Sequence, residues 1–262
     1  MAAKNVVLVT GGLGDIGAAI AAKFLNKGWR VAVNDVRPQH EGDARVACLA
    51  GDAADAVAAA ARYFATDNAD RVAVEAMAAA VERDLGAPPS LVIVNAGVVE
   101  PAPFLETSLD NWRRHLDVNL TGAFHVAQTF ARAMVRAGNG GTILFTGSWV
   151  QEFPEWNIGA YCVSKAGLKM LARQMALELA AHNIRVNLVA PGKVDAGLSA
   201  QMFRTGQADP ALAESVIPLR RLQTAADVAD AFWLLAQPEA AYVTGATLLC
   251  DGGMSLFNWQ RR

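Results

Sequence analysis

Seven short runs rich in β-branched residues recur along the 262-residue chain, and alanine-rich amphipathic segments separate them. This alternation predicts βαβ units, whose parallel strands form one sheet with helices on both faces. We therefore predict an α/β fold with a doubly wound parallel sheet of about seven strands. The predicted strands are NVVLVT (5–10), RVAVN (30–34), RYFAT (62–66), LVIVN (91–95), GTILFT (141–146), IRVNLVA (184–190) and ATLLC (246–250).

The other periodic segments predict helices within one domain. Residues 1–262 suit a single α/β domain, and a hydrophobic content of 53% is enough for a large core. The stretch 194–217 has weaker periodicity and interposed Gly and Pro, so it predicts an excursion with short helices that could act as a lid. The predicted helices are 15–28, 43–61, 70–85, 109–136 with a break near Gly122, 158–181 and 224–236.

Charge and cysteine content exclude several classes of partner. A net charge of -2 and a pI near 6.1 provide no basic field for nucleic acid or anionic lipid. Cys48, Cys162 and Cys250 are widely spaced and form no CxxC or Cys/His cluster, so we expect neither a disulfide framework nor a metal site. The N-terminus lacks a signal-peptide pattern and no apolar stretch reaches membrane-spanning length, so we expect a cytoplasmic protein.

The segment TGGLGDIG, residues 10–17, follows the first predicted strand and opens the first predicted helix. Gly12, Gly14 and Gly17 match G-x-G-x-x-G, a pattern in which backbone N–H groups and a helix N-terminus face a pyrophosphate. A tight turn without a ligand would use the same glycines, and Asp15 puts a carboxylate where an anion would bind. The position between strand and helix favours a dinucleotide site and a Rossmann-type sheet.

The second predicted strand ends in an acid, Asp35, about twenty residues after the glycine turn. A carboxylate there accepts hydrogen bonds from both ribose hydroxyls of an adenosine and repels a 2′-phosphate. We therefore predict NAD rather than NADP as the cofactor, and Arg37 is the feature that argues against this choice. A solvated aspartate at a strand end is the alternative.

Tyr161 and Lys165 are four residues apart in a predicted helix and so share one face. A tyrosine hydroxyl has a pKa near ~10, so it acts as a base near neutral pH only if a neighbour lowers that pKa by roughly 2 to 3. An ammonium group ~5 Å away contributes about 3 kcal/mol toward that change. Alone, the spacing Y-x-x-x-K is also typical of an amphipathic residue beside a solvated charge.

Together these motifs resemble those of the short-chain dehydrogenase/reductases over about residues 5–256. The family's turn, T-G-x-x-x-G-x-G, is matched at Thr10, Gly11 and Gly17 but broken at Asp15, and its N-N-A-G strand end is matched by VNAG, with Val94 in place of the first asparagine. The resemblance implies cofactor contacts from Gly11, Leu13, Gly14, Asp15, Ile16, Asp35, Asp67, Asn68, Asn95, Ala96, Gly97, Tyr161, Lys165, Pro191, Gly192 and Val194.

The same resemblance implies a catalytic tetrad of Asn119, Ser148, Tyr161 and Lys165, with Ser148 thirteen residues before the tyrosine. Tyr161 would be the general base, Lys165 would stabilise the tyrosinate and hold the nicotinamide ribose, Ser148 would bind the substrate oxygen, and Asn119 would position a proton-relaying water. The implied substrate contacts are Ser148, Val150, Trp156, Tyr161 and Lys193.

Two departures from the family pattern concern the cofactor. By the resemblance, the side chain at position 15 is directed outward, so Asp15 is expected to cap its helix and to weaken anion binding somewhat. Gly14, where NADP-preferring members often carry a basic residue, agrees with the preference for NAD. Ala196 stands where members often carry a threonine that bonds the cofactor carboxamide.

The expected activity is NAD-dependent hydride transfer between a secondary alcohol or hemiacetal carbon and the nicotinamide. Trp149, Phe153 and Trp156 alternate with polar residues before the catalytic helix, which suits a sugar, sugar acid or polyol, although these rings could equally pack the loop or a subunit interface. The alternatives are a 3-oxoacyl-carrier-protein reductase that uses NADPH and a non-catalytic dinucleotide-binding scaffold. Members commonly form tetramers through the helices matched by 109–136 and 158–181, so we expect a homotetramer.

Overall fold

A computed structural model describes residues 5–49, 60–206 and 209–256. The strands are β1 (Val6–Thr10), β2 (Arg30–Asp35), β3 (Ala61–Ala65), β4 (Leu91–Val94), β5 (Gly141–Thr146), β6 (Ile184–Pro191) and β7 (Thr247–Cys250). Within the described residues these seven strands form one parallel sheet in the order β3-β2-β1-β4-β5-β6-β7. The predicted doubly wound α/β fold is therefore confirmed.

Helices connect the strands and cover both faces of the sheet. They are α1 (Asp15–Asn26), α2 (Gln39–Ala47), α3 (Arg71–Leu85), α4 (Leu109–Leu116), α5 (Ala123–Ala137), α6 (Gly159–Leu179), α7 (Gly197–Arg204), α8 (Pro210–Ser215) and α9 (Ala225–Ala236). The excursion expected at 194–217 contains α7 and α8, in agreement with the prediction of short helices. No helix in the described part of the chain is long and apolar enough to cross a membrane.

Alternate residues of each strand enter cores on opposite faces of the sheet. In β1, Val6 and Leu8 pack with residues of α3, α5 and α6, whereas Val7 and Val9 pack with residues of α1 and α9. All four side chains are almost fully buried. This explains why the strands are continuous apolar runs, since a parallel strand covered on both faces has no solvent-facing side.

One predicted helix, 43–61, has the wrong bounds. The structure begins α2 at Gln39, directly after Pro38, and ends it at Ala47. At the other end, Ala61 is not helical but pairs with Val31 as the first residue of β3. Pairing with the buried β2 outweighs the helical propensity of alanine there. The rest of the predicted helix, 50–59, lies outside the described residues.

The break predicted near Gly122 takes the form of a π-helical segment, Asp117–Gly122, between α4 and α5. The chain stays helical from Leu109 to Ala137, but the segment contains one wider turn. Short π segments within α-helices occur frequently at functional sites. Here the segment contains Asn119, which is fully buried.

Candidate active site

The strand order reverses between β1 and β4. In open parallel sheets, ligands bind at such a point, outside the carboxyl ends of the strands. The glycine turn follows β1, and residues 95–97 follow β4. Ser148 lies just beyond β5, and Pro191 ends β6. The predicted site residues therefore gather along one edge of the sheet.

Two glycines of the turn have no room for a side chain. Gly11 has φ +61°, and a Cβ atom there would lie 2.7 Å from Cα of Ala96. A Cβ atom at Gly17 would lie 2.1 Å from the carbonyl oxygen of Gly11. Gly14 is the N-cap of α1 and brings no side-chain cap, so backbone N–H groups at the helix N-terminus remain available. This is the arrangement that binds phosphate groups.

Hydrogen bonds lock the glycine turn to the ends of β4 and β5. The buried Oγ1 atom of Thr10 accepts from the backbone N–H groups of Asn95 and Ala96, at 2.9 and 3.1 Å. The amide of Asn95 donates back to the Thr10 carbonyl at 3.1 Å, and its Oδ1 atom accepts from Thr146 Oγ1 at 3.0 Å. Three strand ends therefore form one rigid unit.

Asp35 ends β2 beside the turn. Its carboxylate accepts hydrogen bonds from the N–H groups of Leu13, at 3.2 Å, and Arg37, at 3.4 Å. The Tyr63 hydroxyl donates to the backbone carbonyl of Arg37 at 2.6 Å and lies 3.1 Å from that of Asp35, which fixes the start of the loop after β2. The carboxylate is partly exposed, so it has capacity to accept further hydrogen bonds from a ligand at this edge.

Asp67 and Asn68, both expected at the adenine end, differ in environment. Asp67 is exposed, and its carboxylate accepts from the Ala69 N–H group at 2.9 Å, which stabilises the turn after β3. Asn68 is buried, and its Oδ1 atom has no hydrogen-bond partner among the described residues. A buried polar atom left unpaired costs free energy, so the amide of Asn68 is suited to pair with a ligand.

The Asp15 carboxylate does not cap α1, contrary to expectation. The N-cap is Gly14, and Asp15 is the first residue of the helix, where its charge still favours the helix dipole. The side chain is exposed, as expected, and its Oδ2 atom accepts a hydrogen bond from the Gly197 N–H group at 2.7 Å. Its partner therefore belongs to α7 and not to its own helix.

Tyr161 and Lys165 share a face of α6, as predicted. The Nζ atom of Lys165 lies 5.6 Å from the centroid of the tyrosine ring and donates to the Thr146 carbonyl at 2.7 Å. The lysine is only 3% exposed. The ring of His115 packs edge-on against that of Tyr161, with centroids 6.4 Å apart. The tyrosine is thus held between a buried cation and a buried imidazole.

Burial controls the protonation of this pair. It raises the pKa of Tyr161 to about 12, although the nearby Ser148 hydroxyl acts in the opposite direction. It also lowers the pKa of Lys165 to about 8. The lowering of the tyrosine pKa expected from the sequence is therefore wrong for the protein's own groups, because desolvation outweighs the lowering effect of the Ser148 hydrogen bond.

Asn119 is held by hydrogen bonds at both ends of its side-chain amide. Its Oδ1 atom accepts from the Val98 N–H group at 2.7 Å, and its Nδ2 atom donates to the Val98 carbonyl at 2.9 Å and to Ser164 Oγ at 3.0 Å. Ser164 in turn donates to the Tyr161 carbonyl at 2.7 Å. Both amide hydrogens of Asn119 are therefore used, and a water could reach only its remaining lone pair or the backbone.

Ser148 is the N-cap of a short 3₁₀ helix, Trp149–Gln151, and is 7% exposed. The Oγ atom of Ser148 accepts from the Val150 N–H group, and the backbone N–H group of Ser148 donates to Gln151 Oε1, each at 3.4 Å. Both of these bonds are long. The Ser148 hydroxyl hydrogen is therefore free to donate to Tyr161 or to a ligand oxygen.

The residues expected to contact a substrate are spread over different environments. Val150 is buried below the site, whereas Trp156 is 87% exposed and so lines no enclosed cavity. The Nζ atom of Lys193 lies 3.6 Å from a carboxylate oxygen of Glu155, so this cation is already paired. The remaining predicted cofactor residues, Ile16, Pro191, Gly192 and Val194, lie at the same sheet edge.

The protein's own atoms fit a dinucleotide. Gly11 and Gly17 of the turn have no room for side chains, and the Asn68 amide oxygen is buried with no partner among the described residues. A Cβ atom at Gly97 would lie 3.3 Å from Asn119 Oδ1 and 3.5 Å from Lys165 Nζ, so a side chain at this position would lie against two residues of the predicted tetrad. Within the described residues, no group of three or more His, Cys, Asp or Glu side chains could hold a metal ion.

A family model described as enoyl-(acyl carrier protein) reductase matches residues 13–255 of the chain. The chain is a short-chain dehydrogenase/reductase. The family resemblance drawn from the sequence is therefore confirmed, and with it the general activity of an oxidoreductase that acts on CH–OH groups and binds a nicotinamide cofactor.

Several members of the family are similar to this chain over nearly its whole length. The 3beta-hydroxysteroid dehydrogenase 1 of Eggerthella lenta is 35% identical, covering 97% of this chain and 94% of its own. The D-threitol dehydrogenase of Mycolicibacterium smegmatis is 33% identical, covering 96% and 93%. A crystal structure of acetoin dehydrogenase from Enterobacter cloacae superposes with a TM-score of 0.85, at 29% identity and full coverage of both chains.

Sequence reasoning does not find Arg45 of this short-chain dehydrogenase/reductase. Arg45 of α2 donates to the Leu13 carbonyl at 2.9 Å, which puts a cation at the glycine turn. No motif marks this residue, and it lies in the segment whose helix bounds differ from the prediction. Gln151 is one of the polar residues that alternate with the aromatic rings before the catalytic helix; it is 8% exposed, and its Nε2 atom has no partner in the described part of the chain.

Proposed function

We propose that this enzyme is an NAD-dependent dehydrogenase of a small polyhydroxylated secondary alcohol, such as a sugar, sugar acid or polyol. One observation carries the choice of cofactor: the Asp35 carboxylate bonds to the Leu13 N–H group in the glycine turn. A fixed negative charge there accepts hydrogen bonds from ribose hydroxyls and repels a 2′-phosphate. A partly exposed carboxylate keeps oxygen lone pairs for both hydroxyls.

In the proposed reaction, Tyr161 accepts the hydroxyl proton of the alcohol. A bound oxidised nicotinamide supplies the hydride acceptor and a positive charge. Lys165, held by Thr146, stabilises the tyrosinate as it forms. Ser148 donates to the substrate oxygen and keeps it within reach of the tyrosine. The carbinol carbon loses a hydride and the oxygen a proton, so the product is a ketone or, from a hemiacetal, a lactone.

In this proposal Asn119 acts by holding neighbouring groups in place. Its side-chain donors are committed to Val98 and Ser164, so it fixes the α4–α5 junction against α6 and keeps the backbone of Tyr161 in place. The proton on Tyr161 is then passed to a water held by the free lone pair of Asn119 Oδ1 or by the π-helical backbone. The water-positioning role that the family resemblance implies for Asn119 stays part of the proposal.

The substrate class rests on polar groups in the segments that follow β5 and β6. Glu155 and Lys193 form an ion pair there, and the Gln151 amide is buried near Ser148. Groups of both charge signs suit a ligand with several hydroxyl groups better than a purely apolar one. Among the relatives, the D-threitol dehydrogenase is named for a polyol.

The test is reduction of NAD and, separately, of NADP with a panel of D-threitol, other polyols, aldoses, sugar acids, acetoin and a 3β-hydroxysteroid. The Tyr161→Phe variant serves as the blank. Turnover of a polyol or sugar with NAD supports the proposal. Turnover of the steroid alone refutes the substrate class, and a preference for NADP refutes the choice of cofactor.

A second candidate is an NADPH-dependent 3-oxoacyl-carrier-protein reductase. The observation that favours it is the Arg45 guanidinium bonded to the glycine turn, because a cation there could bind a 2′-phosphate. The 3-oxoacyl-acyl-carrier-protein reductase MabA of Mycobacterium tuberculosis is 34% identical over 95% of this chain. Reduction of a 3-oxoacyl thioester by NADPH, with no activity on the alcohols, would favour this candidate.

We also propose that the enzyme is a homotetramer. Val163, Met170 and Leu177 form an apolar stripe on α6 and are 47%, 60% and 76% exposed. The stripe repeats every seven residues along one face, which suits packing against another helix. Light scattering during size-exclusion chromatography tests this directly, and a monomer would refute it. The cytoplasmic location expected from the sequence stays a prediction.

A further inference from the structure

The contact between Asp15 and Gly197 joins residues 182 positions apart. Asp15 begins the helix that follows the glycine turn, and Gly197 begins α7 in the excursion after β6. Both residues are exposed, and the hydrogen bond is 2.7 Å long. The carboxylate thus lies between two helix N-termini, each of which attracts negative charge.

The helix α7 lacks a cap of its own. Its N-cap is Ala196, whose methyl group accepts no hydrogen bond, and no side chain of the segment caps the helix. The first N–H groups of a helix have no partner within it, so they depend on an acceptor from elsewhere. Asp15 supplies that acceptor from the cofactor turn.

The chain before α7 is already fixed. Asp195 donates to the Gln223 carbonyl at 2.8 Å, and the Gln223 N–H group donates to the Lys193 carbonyl at 3.0 Å. These bonds hold the chain as far as Asp195. Gly197 then adopts φ +51°, and the chain turns into the helix. At this turn the Gly197 N–H group bonds to Asp15, and further along α7 the side chain of Ala200 is buried.

If the proposed function is correct, the Asp15 carboxylate weakens cofactor binding, because its negative charge repels the phosphates expected at the glycine turn. We therefore look for the favourable effect of Asp15 in its contact with α7. We propose that Asp15 is a positioning residue, whose carboxylate holds α7 against the glycine turn and so shapes the substrate side of the site. This proposal rests on the proposed function for the location of cofactor and substrate.

Two variants separate the hydrogen bond from the charge. Asp15→Asn keeps an acceptor for the Gly197 N–H group and loses the charge, whereas Asp15→Ala loses both. We expect both variants to bind NADH about two- to fivefold more tightly, because the like charge is gone. Only Asp15→Ala should raise the KM of the best alcohol of the panel, by roughly fivefold, because α7 has lost its cap.

The decisive measurement is amide hydrogen exchange of the purified protein over residues 194–204. Exchange at Gly197 should be roughly fivefold to tenfold faster in Asp15→Ala than in the wild type and nearly unchanged in Asp15→Asn. Amide exchange at residues 91–94 of the buried β4 shows whether the whole fold has lost stability. Asp110→Ala, which removes an exposed carboxylate from the first turn of α4, is the matched control.

Equal exchange at Gly197 in the wild type and in Asp15→Ala overturns the proposal, whatever the activity. Weaker binding of NADH together with a higher KM in both variants also overturns it, since that pattern indicates a general structural defect. A wild-type protein that binds no NADH would refute the proposed function instead. The exchange comparison would then still decide whether Asp15 anchors α7.

Discussion

The Nζ atom of Lys165 donates to the carbonyl oxygen of Thr146, which ends β5. The side chain of the same threonine donates to Asn95, and Asn95 is bonded to Thr10 in β1. One residue therefore connects the buried lysine of α6 with the strand that leads into the glycine turn. Cofactor turn and proposed catalytic pair are parts of a single hydrogen-bonded framework, so neither can move far without the other.

Lys165→Met should stabilise the protein while it abolishes turnover. Burial lowers the pKa of this lysine from 10.5 to about 8, which corresponds to a penalty of about 3 kcal/mol for holding the charge at pH 7. The lost hydrogen bond to Thr146 offsets about 1 kcal/mol. We expect the free energy of unfolding at pH 7, measured with urea, to rise by about 2 kcal/mol.

The pH dependence of this effect has a definite sign. Between pH 8 and 10.5 the unfolded wild type binds more protons at Lys165 than the folded one, so its stability rises with pH over this range. The difference from Lys165→Met should therefore shrink from pH 7 to pH 10. Lys169→Met, at a partly exposed lysine of the same helix, is the control. A Lys165→Met variant that is less stable than the wild type at pH 7 would contradict the account.

Tyr161→Phe should lower kcat for alcohol oxidation by about 10² to 10⁴, because the general base is lost. Binding of NADH, followed by fluorescence titration, should stay within a factor of two or so, since the phenyl ring keeps the packing against His115. Tyr242→Phe, at a fully exposed ring, is the neutral control. Retention of wild-type turnover by Tyr161→Phe would remove the residue from the mechanism.

The wild-type rate of alcohol oxidation should rise with pH and that of the reverse reduction should fall. Burial raises the pKa of Tyr161 to about 12, so at neutral pH the hydroxyl is protonated in the protein by itself. Oxidation needs the deprotonated form and reduction the protonated one. Initial rates in both directions between pH 6 and 10, with stability checked at each pH, provide the measurement. An oxidation rate independent of pH would contradict this assignment.

Asp35→Asn should weaken the discrimination against NADP. The amide still accepts from Leu13 but carries no charge, so a 2′-phosphate is no longer repelled and the Arg45 guanidinium can pair with it. We expect kcat/KM with NADP to rise about tenfold, and the additional change Arg45→Ala to remove most of the gain. Asp43→Asn, at an exposed carboxylate of α2, is the control.

Failure of Asp35→Asn to change the ratio of the two cofactors would mean that another group sets the preference. If the rise in kcat/KM with NADP persists after the additional change Arg45→Ala, Arg45 does not bind the 2′-phosphate and Arg37 becomes the candidate. The two arginines can be distinguished because each can be replaced separately in the Asp35→Asn variant.

Ser164→Ala should destabilise the protein by about 1 to 3 kcal/mol, because one amide hydrogen of the fully buried Asn119 loses its acceptor. It also removes the bond to the Tyr161 carbonyl, so we expect a several-fold lower kcat with unchanged affinity for NADH. Ser215→Ala, whose hydroxyl caps an exposed turn of α8, provides the comparison in urea unfolding. A change below about 0.5 kcal/mol would show that Asn119 finds another acceptor.

The features that can be predicted from the sequence depend on residues close together along the chain. Strand ends, the glycine turn and the spacing of Tyr161 and Lys165 depend on local pattern, and the strands and the shared helical face lie where that pattern indicates. Contacts between distant segments were not predictable. The bond from Asp15 to Gly197 and that from Arg45 to Leu13 depend on how separate loops meet at the sheet edge.

The raised pKa of Tyr161 is not predictable for a related reason. Sequence spacing reveals the neighbouring charge of Lys165, but the desolvation that raises the tyrosine pKa comes from the packing of α6 against other elements. The helix predicted at 43–61 failed similarly, because pairing with β2 decides the structure at Ala61.

The π-helical turn at Asp117–Gly122 also decides where this helix can change length. A π turn holds one residue more than an α turn, so deleting one residue here would restore a regular α-helix and leave the later side chains of α5 on their present faces. A deletion within α5 itself would rotate the side chains beyond it by about 100°, so that Val126 and Phe130 could not both stay in the core. Homologues that differ in length within this helix should therefore differ at the π turn, and those that lack the extra residue should hold Asn119 differently.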